Sequence, residues 1–345
     1  MFKSLVAAVA ASLVLVPGAV SASPSVAAAR ADDYPPGVVL NPGQIPRGAD
    51  TPLLHMAQEV IVDGATRVPV DGEATVWLLG RVGGDYLVQT AGASFRRYTV
   101  QLVHPDGSRQ VLQRFDGRTS VSVSADGTRL ALVTMDRPST RIRVVETLTG
   151  TLVRQRTFGS LGAEVADYGV HRMVVTGVDS RTYWWNPETN RLRLLVPHPA
   201  WADIAADRLV VRVPKAGSPY EECQQTVVLS QPSVVLWRSC RDLPYRFSPD
   251  GRRMLTIPIL TDGIGASLVQ VRRMHGGLVQ TFRPPMYFGF TEWESNHQVL
   301  LQPVGKKYVA AVRCDLTAQC ERASRLFRSF GGTDPLTTMR WSFPE

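Results

Sequence analysis

The sequence predicts an all-β fold, a β-propeller of six to seven four-stranded antiparallel blades whose ring is closed by an N-terminal hairpin. Helical periodicity is almost absent, and short apolar strand segments recur in groups spaced by roughly 40 residues, a typical blade period. One turn occurs twice, as Ser-Pro-Asp-Gly at 248–251 and Ser-Ala-Asp-Gly at 124–127. Its Asp can bond nearby amides and its Gly accepts a positive φ. Because a twisted four-stranded sheet cannot bury both faces alone, we expect these units to stack radially.

Residues 1–22 have the features of a secretory signal peptide. Lys3 supplies a positive start, and Leu5–Val16 is apolar but short for a bilayer span. We expect cleavage after Ala22, with Ala27–Ala29 as a second cleavage position and a retained anchor as the competing interpretation. No later stretch is apolar for long enough to cross a membrane, so we expect a secreted or wall-associated protein with no transmembrane segment after signal removal.

Residues 23–52 are rich in Pro, Gly and Ala, with clusters at 35–37 and 41–43. Such composition does not sustain regular structure, so we interpret this segment as a flexible, exposed linker. We interpret residues 53–345 as a single propeller domain.

The strands of that domain fall into units separated by turn residues. A hairpin at 59–70 turns at Asp63-Gly64 and precedes the first complete unit. Six units follow, with their strand segments inside 75–115, 120–158, 172–195, 208–237, 245–282 and 287–322. We expect the early hairpin to pair with C-terminal chain, and whether this makes six blades or a composite seventh stays open here.

The four cysteines fit an exported protein. They could pair in three ways, and we expect Cys223–Cys240 and Cys314–Cys320 because each pair brackets a predicted hairpin. Four free buried thiols are the alternative, which an oxidising compartment disfavours. A four-cysteine metal site is weaker still, since no Cys-x-x-Cys occurs.

The turn at 248–252 resembles the Ser-Pro-Asp-Gly signature of TolB-like and WD40-like propeller repeats. Over about residues 53–325 the exported chain resembles secreted actinobacterial WD40-repeat-like proteins of uncharacterised function, through the segments 206–209, 236–241 and 312–323. The resemblance implies the fold and export. The Gly-His and Trp-Asp pairs of authentic WD40 repeats do not occur here, so it implies no particular partner.

The charge is basic but dispersed. The chain of 345 residues carries 38 Lys and Arg against 30 Asp and Glu, a net charge of +8. Anionic partners such as wall polymers are compatible with this charge. Basic pairs lie near turns or strand edges, where charge discourages sheet-to-sheet aggregation, and they lack the interleaved aromatics of a single-stranded nucleic-acid site. These pairs are Arg96–Arg97, Arg252–Arg253, Arg272–Arg273 and Lys306–Lys307. We therefore expect no nucleic-acid partner.

No local motif indicates catalysis. His-Glu-x-x-His, Gly-x-Ser-x-Gly and phosphate-binding loops do not occur in the sequence, so we expect no catalytic, cofactor-binding or metal-binding motif. Propeller hydrolases assemble carboxylates from several blades, however, so their acids need not be neighbours in sequence. Four carboxylates could face the channel or its mouth, namely Asp203, Asp207, Glu292 and Glu294. Their simpler roles are turn bonding or a solvated rim.

Two aromatic segments are the candidates for ligand contact. In Glu292-Trp293-Glu294 an indole lies beside two acids, a combination that can bind a sugar or a cation. In Trp184-Trp185 strand alternation should leave one ring in the core and the other more exposed, and we take Trp185 as the candidate contact. Packing of both rings between blades is the alternative.

The most consistent function is an exported, non-catalytic propeller that acts as a monomeric interaction or scaffold module. Its partner would be an unknown protein or surface polymer. A carbohydrate- or anion-binding propeller is the first alternative. A polysaccharide hydrolase or lyase with acids in the central channel is the second.

Overall fold

In a computed structural model, the structure describes residues 34–57, 59–70, 75–92, 94, 97–116, 119–218, 221–261, 265–329 and 339–341. The predicted signal peptide and the first part of the predicted linker lie outside these residues. In the described part of the chain all regular structure is β, and no helix reaches the length and apolarity needed to cross a membrane.

The strands follow one another along the chain with short connections. In chain order they are β1 (Val38–Val39), β2 (His55–Ala57), β3 (Val60–Asp63), β4 (Thr66–Pro69), β5 (Thr75–Val82), β6 (Asp85–Ala91), β7 (Arg97–Val103), β8 (Arg109–Asp116), β9 (Thr119–Val123), β10 (Arg129–Asp136), β11 (Ser139–Glu146), β12 (Leu152–Phe158), β13 (Glu164–Tyr168), β14 (Met173–Val178), β15 (Arg181–Asn186), β16 (Arg191–Val196), β17 (Ala200–Asp203), β18 (Arg208–Pro214), β19 (Glu222–Val228), β20 (Val235–Ser239), β21 (Asp242–Phe247), β22 (Arg253–Pro258), β23 (Val269–Arg273), β24 (Leu278–Arg283), β25 (Tyr287–Ser295), β26 (Gln298–Val304), β27 (Tyr308–Val309), β28 (Val312–Asp315), β29 (Cys320–Arg322), β30 (Phe327–Arg328) and β31 (Met339–Trp341).

These strands form seven antiparallel blades arranged in a ring, so the fold is a seven-bladed β-propeller. Blades 2 to 5 are β5–β8, β9–β12, β13–β16 and β17–β20, each ordered from the inner to the outer strand. Blade 6 is β21–β24 with β1 added at its outer edge, and blade 7 contains β25–β30. Inner strands of successive blades contact one another, for example β5 with β9 and β21 with β25.

Blade 1 is composite and closes the ring. Its inner strand is β31, which pairs antiparallel with β2, and β3 and β4 complete the sheet. The expectation that the N-terminal hairpin pairs with C-terminal chain is thereby confirmed, and the six units of the sequence become seven blades.

Apolar clusters fill the spaces between blades. Consecutive blades from 1 to 7 share one cluster at each junction, and a further cluster packs Leu53, just before blade 1, against blade 7. A blade therefore has two covered faces, so that its middle strands are apolar on both sides. This is why residues 173–175 and 299–301, in the second strands of two blades, are runs of buried side chains.

The repeated turn connects the inner strand of a blade to the second strand. In blade 6 the Ser248 hydroxyl donates to Asp250 Oδ1 (2.6 Å) and accepts from the Arg253 amide (2.9 Å). In blade 3, Ser124, Asp126 and the Arg129 amide repeat these bonds. Gly251 has a φ of 64°, and a Cβ at this position would lie 3.1 Å from the Ala206 carbonyl oxygen of blade 5. Glycine at this position therefore allows both the positive φ of the turn and the close approach of the preceding blade, blade 5.

Both expected disulfides are present, and each joins the third strand of a blade to its neighbouring outer strand. Cys223 of β19 is bonded to Cys240 just after β20, and Cys314 of β28 is bonded to Cys320 of β29. Cys223 and Cys314 are fully buried. The bridges thus connect the outer edges of blades 5 and 7 to their cores.

The described part of the predicted flexible linker is bound to the propeller instead. The Leu40 amide donates to the Arg283 carbonyl (2.8 Å), and β1 runs parallel to β24. Farther along, the Gly48 amide donates to the Arg322 carbonyl of blade 7 (3.0 Å). Leu40 is only 1% exposed, in the cluster between blades 6 and 7. Residues 34–51, which we call the arm, are therefore held by backbone pairing and a buried anchor.

Candidate functional site

Charged side chains from the inner strands of three consecutive blades meet in one cluster. Asp203 ends β17, Arg246 lies in β21, and Glu292 lies in β25. The Arg246 Nε donates to Glu292 Oε2 at 3.0 Å, and Asp203 is close enough to interact electrostatically with both. We call these three residues the acid–arginine cluster. Since inner strands surround the channel of a propeller, the cluster is the arrangement of the described residues that best fits a channel site.

Local backbone geometry fixes each member of the cluster. Asp203 Oδ1 accepts from the Ala206 amide (2.8 Å), and Glu292 Oε1 accepts from the Trp293 amide (2.9 Å). The pairing of β21 with β22 shifts around Tyr245, which is the type of irregularity that redirects the following side chain. The Arg246 guanidinium then stacks 4.4 Å from the Tyr245 ring centroid. Backbone amides therefore orient the two carboxylates, and the Tyr245 ring packs against the guanidinium.

Burial and charge act in opposite directions on the two acids. Burial raises the pKa of Glu292 and of Asp203 above the ordinary carboxyl values, while the positive charge of Arg246 lowers both. The net direction is upward for each acid. The side chains of Arg246 and Glu292 are 28% and 17% exposed, so water reaches part of the pair. One guanidinium thus partly neutralises two carboxyl groups of raised pKa.

Glu294 belongs to a second network, although it is only two residues from Glu292. It accepts from Arg313 Nη2 (2.9 Å) and from the Thr51 hydroxyl of the arm (2.6 Å). Arg313 also donates to Glu321 (2.6 Å). The side chains of Arg313 and Glu294 are 10% and 4% exposed. This buried pair connects blade 7 to the arm.

Trp293, between the two acids, packs into the apolar cluster between blades 6 and 7 and is 4% exposed. Its Nε1 is buried, with no hydrogen-bond acceptor among the described residues. The three residues predicted to form one ligand contact therefore lie in three different environments. Glu292 has the most exposed side chain of the three.

Of the two interpretations of Trp184-Trp185, the structure agrees with packing of both rings between blades, and Trp185 is not an exposed contact residue. Trp184 is 5% exposed and packs between blades 4 and 5, whereas Trp185 is fully buried between blades 3 and 4. Trp185 Nε1 donates to Asn190 Oδ1 (3.2 Å), and its ring meets that of Phe158 edge to face. Strand alternation does separate the two rings, but both faces of a blade are covered by its neighbours.

Asp207, the remaining predicted channel acid, serves a turn. Its carboxylate accepts from the Ser230 amide and hydroxyl, both at 2.8 Å, and its own φ is 57°. Among the described residues, no three His, Cys, Asp or Glu side chains are arranged to hold a metal ion.

Arg246 is the member of the cluster that sequence reasoning missed. A single charged residue between Tyr245 and Phe247 in an inner strand is the signal that could have identified it. Its two carboxylate neighbours are on other blades, so the pairing is visible only once the ring is assembled.

Comparison with solved structures finds similarity to several proteins, one of them a β-propeller domain. The β-propeller domain of the trilobed protease from Pyrococcus furiosus has a TM-score of 0.52 and 11% identity, over 76% of this chain and 86% of that one. The dihydro-heme d1 dehydrogenase NirN has a TM-score of 0.52 and 14% identity, over 84% and 67%. TolB from Acinetobacter baumannii has a TM-score of 0.45 and 12% identity, over 68% and 64%.

No family model and no curated protein matches the sequence. At identities this low, the similarity of structure shows the fold alone. What the chain has in common with the propeller domain of the trilobed protease is the β-propeller architecture.

Proposed function

We propose that the protein is an exported, non-catalytic β-propeller that binds another protein or a surface polymer, at the cell surface or outside the cell. The predicted signal peptide and two disulfide bonds support export, because disulfides persist in oxidising compartments. A ring of blades with packed junctions is a rigid support for loops, and loops on rigid scaffolds are common sites of recognition.

The acid–arginine cluster is the observation that carries the non-catalytic part of the proposal. Glycoside hydrolases use two carboxyl groups that act on opposite sides of the scissile bond, one protonated and the other ionised. Here Glu292 is hydrogen-bonded to Arg246, and Asp203 interacts with the same cation. The two acids therefore share one counter-charge, which favours a structural role at the junction of three blades.

A turnover assay tests this part. Wild-type and Glu292→Gln proteins would be incubated with a panel of wall and extracellular polysaccharides. We expect no product from either protein. Product formed by the wild type and reduced about 100-fold or more in Glu292→Gln would contradict the proposal, since loss of a general acid or base has effects of this size.

Crosslinking tests the binding part. Tagged protein would be crosslinked in the envelope and culture fluid of its own organism, with excess untagged protein as competitor. We expect a reproducible partner that the competitor displaces. Crosslinks that persist in the presence of the competitor, or none at all, would count against an interaction module.

Anion binding is the second candidate function, favoured by one observation. Arginines of blades 5 and 6 converge on a single groove whose lining contains no carboxylate.

A further inference from the structure

Two basic pairs that are separate in the sequence lie side by side in blade 6. Arg253 and Arg273 are direct partners in the pairing of β22 with β23, which places Arg252 and Arg272 next to them. Arg208 joins from blade 5, where its Nη2 donates to the Gly251 carbonyl at 2.9 Å. We expected these pairs to serve as dispersed edge charges, but the pairing of β22 with β23 brings Arg252, Arg253 and Arg273 to one groove, whereas Arg272 forms an ion pair with Asp242 (3.2 Å).

They border an open cavity of about 410 Å³, which we call the arginine groove. Its lining residues are Arg208, Leu236, Gly251, Arg252, Arg253, Arg273, Met274 and His275. Four of these are arginines and none is acidic. The carboxylates near groove arginines are Asp250, whose Oδ2 is 3.9 Å from Arg253 Nη1, and Asp203, which interacts electrostatically with Arg208. The groove therefore has a strong excess of positive charge.

The arginines differ in how far they are already engaged. Arg252 and Arg273 are exposed, and within the described residues their guanidinium groups have no hydrogen bond or salt bridge, although Arg252 interacts electrostatically with the Asp250 carboxylate. Arg208 is oriented by the carbonyls of Asp207 and Gly251, and its Nε is buried without an acceptor. The fourth groove arginine, Arg253, donates from Nη1 to the Asn296 carbonyl (3.2 Å). The groove thus combines two guanidinium groups that already bind carbonyls with two that are available to a ligand.

We propose that the arginine groove binds phosphate groups carried on an extended anionic chain. A guanidinium is a planar fork that engages oxyanions through two parallel hydrogen bonds. A carboxylate presents two coplanar oxygens, which a single fork can occupy. The tetrahedral phosphates of a chain present two non-bridging oxygens each, or three at a terminus, in directions that allow several donors to bind at once. Consecutive phosphates would supply enough acceptors for Arg208, Arg252 and Arg273 together. This inference deepens the anion-binding candidate. Its test changes no residue of the acid–arginine cluster, to which the groove is connected by the electrostatic interaction of Arg208 with Asp203.

Calorimetric titration of the full chain with sodium tripolyphosphate tests the proposal. The test variant is Arg252→Ser/Arg273→Ser. The matched control is Arg114→Ser/Arg193→Ser, which removes the same charge at exposed positions of blades 2 and 4. We expect the test variant to bind about 10-fold or more weakly, as loss of charge-assisted hydrogen bonds implies, and the control to stay within about 2-fold of the wild type. Equal melting temperatures would establish that all three proteins are folded.

A third variant, Arg252→Lys/Arg273→Lys, keeps the charge and removes the forks, and we expect its affinity to lie between those of the wild type and the serine variant. Equal weakening of test and control variants would overturn the proposal in favour of diffuse charge. No binding by the wild type would overturn it too, as would polygalacturonate binding as tightly as tripolyphosphate, because carboxylates would then suffice. If crosslinking captures a protein partner but tripolyphosphate does not bind, only the phosphate-binding inference is refuted. If tripolyphosphate binds but no partner is captured, only the proposed interaction module is refuted.

Discussion

At the scale of single residues, the repeated turn was predictable and the charged cluster was not. Ser248, Asp250 and Gly251 act within one turn, so their sequence spacing contains the information that determines their bonds. Asp203 and Glu292 instead meet through Arg246 of the blade between them. Side chains that meet across blades leave no local pattern, and the sequence could identify only the candidate acids.

The raised pKa of Glu292 has a consequence for stability. A carboxyl group whose pKa is higher in the folded than in the unfolded protein binds its proton more tightly when folded, so stability falls as pH rises above its ordinary value of 4.5. Glu292→Gln removes this contribution. We expect the difference in melting temperature, variant minus wild type, to be at least ~2 °C larger at pH 7 than at pH 4.

Thermal unfolding monitored at several pH values would measure this change. Glu164→Gln is the matched control, because Glu164 also lies on an inner strand but is exposed. Its profile should parallel that of the wild type. Parallel profiles for Glu292→Gln and the wild type would contradict the prediction, because they would show that ionisation of Glu292 does not lower the stability of the folded protein.

At the scale of elements, hairpins and blades followed from turn residues and strand alternation, whereas the arm did not. The arm is held largely by backbone hydrogen bonds, which any sequence can make, and its prolines and glycines predicted a linker. Its buried anchors, Tyr34 and Leu40, were the available signal. Tyr34 donates to the Arg241 carbonyl (3.1 Å) and lies beneath the Arg241 guanidinium.

Substitution of the anchor tests the seating of the arm. Leu40→Ala should lower the free energy of unfolding by about 2–5 kcal/mol, because it creates a cavity between blades 6 and 7. Val39→Ala is the control, since Val39 is 65% exposed, and its effect should stay within about 0.5 kcal/mol. Denaturant unfolding measures both. A neutral Leu40→Ala would indicate that the arm contributes no packing.

At the scale of the whole molecule, the sequence predicted the ring but left the number of blades open. Blade 1 has no complete unit in the chain, because β31 and β2 come from opposite ends of the domain. Sequence alternation likewise could not show that every blade face is covered, and for this reason Trp185 was expected to be more exposed than it is.

Removal of the closing strand tests the composite blade. A chain that ends at Ser329 lacks β31, whereas a chain that ends at Trp341 keeps it. We expect the shorter chain to melt at least ~5 °C lower, since several backbone pairs and a blade junction are lost. The longer chain should melt like the full protein. Differential scanning calorimetry would compare the three, and equal melting of both truncated chains would argue against closure by β31.

The pairing of β2 with β31 also determines how the ring would respond to mechanical tension. His55, at the start of β2, is paired with Trp341, at the end of β31. The chain enters and leaves this antiparallel pair at the same end, so a pull on its two outward segments loads one residue pair at a time. The β2–β31 pair would therefore separate sequentially, one residue pair after another, beginning at His55 and Trp341. The arm is bound to blades 6 and 7, so force applied from the N-terminal side would have to detach the arm before it loaded this pair.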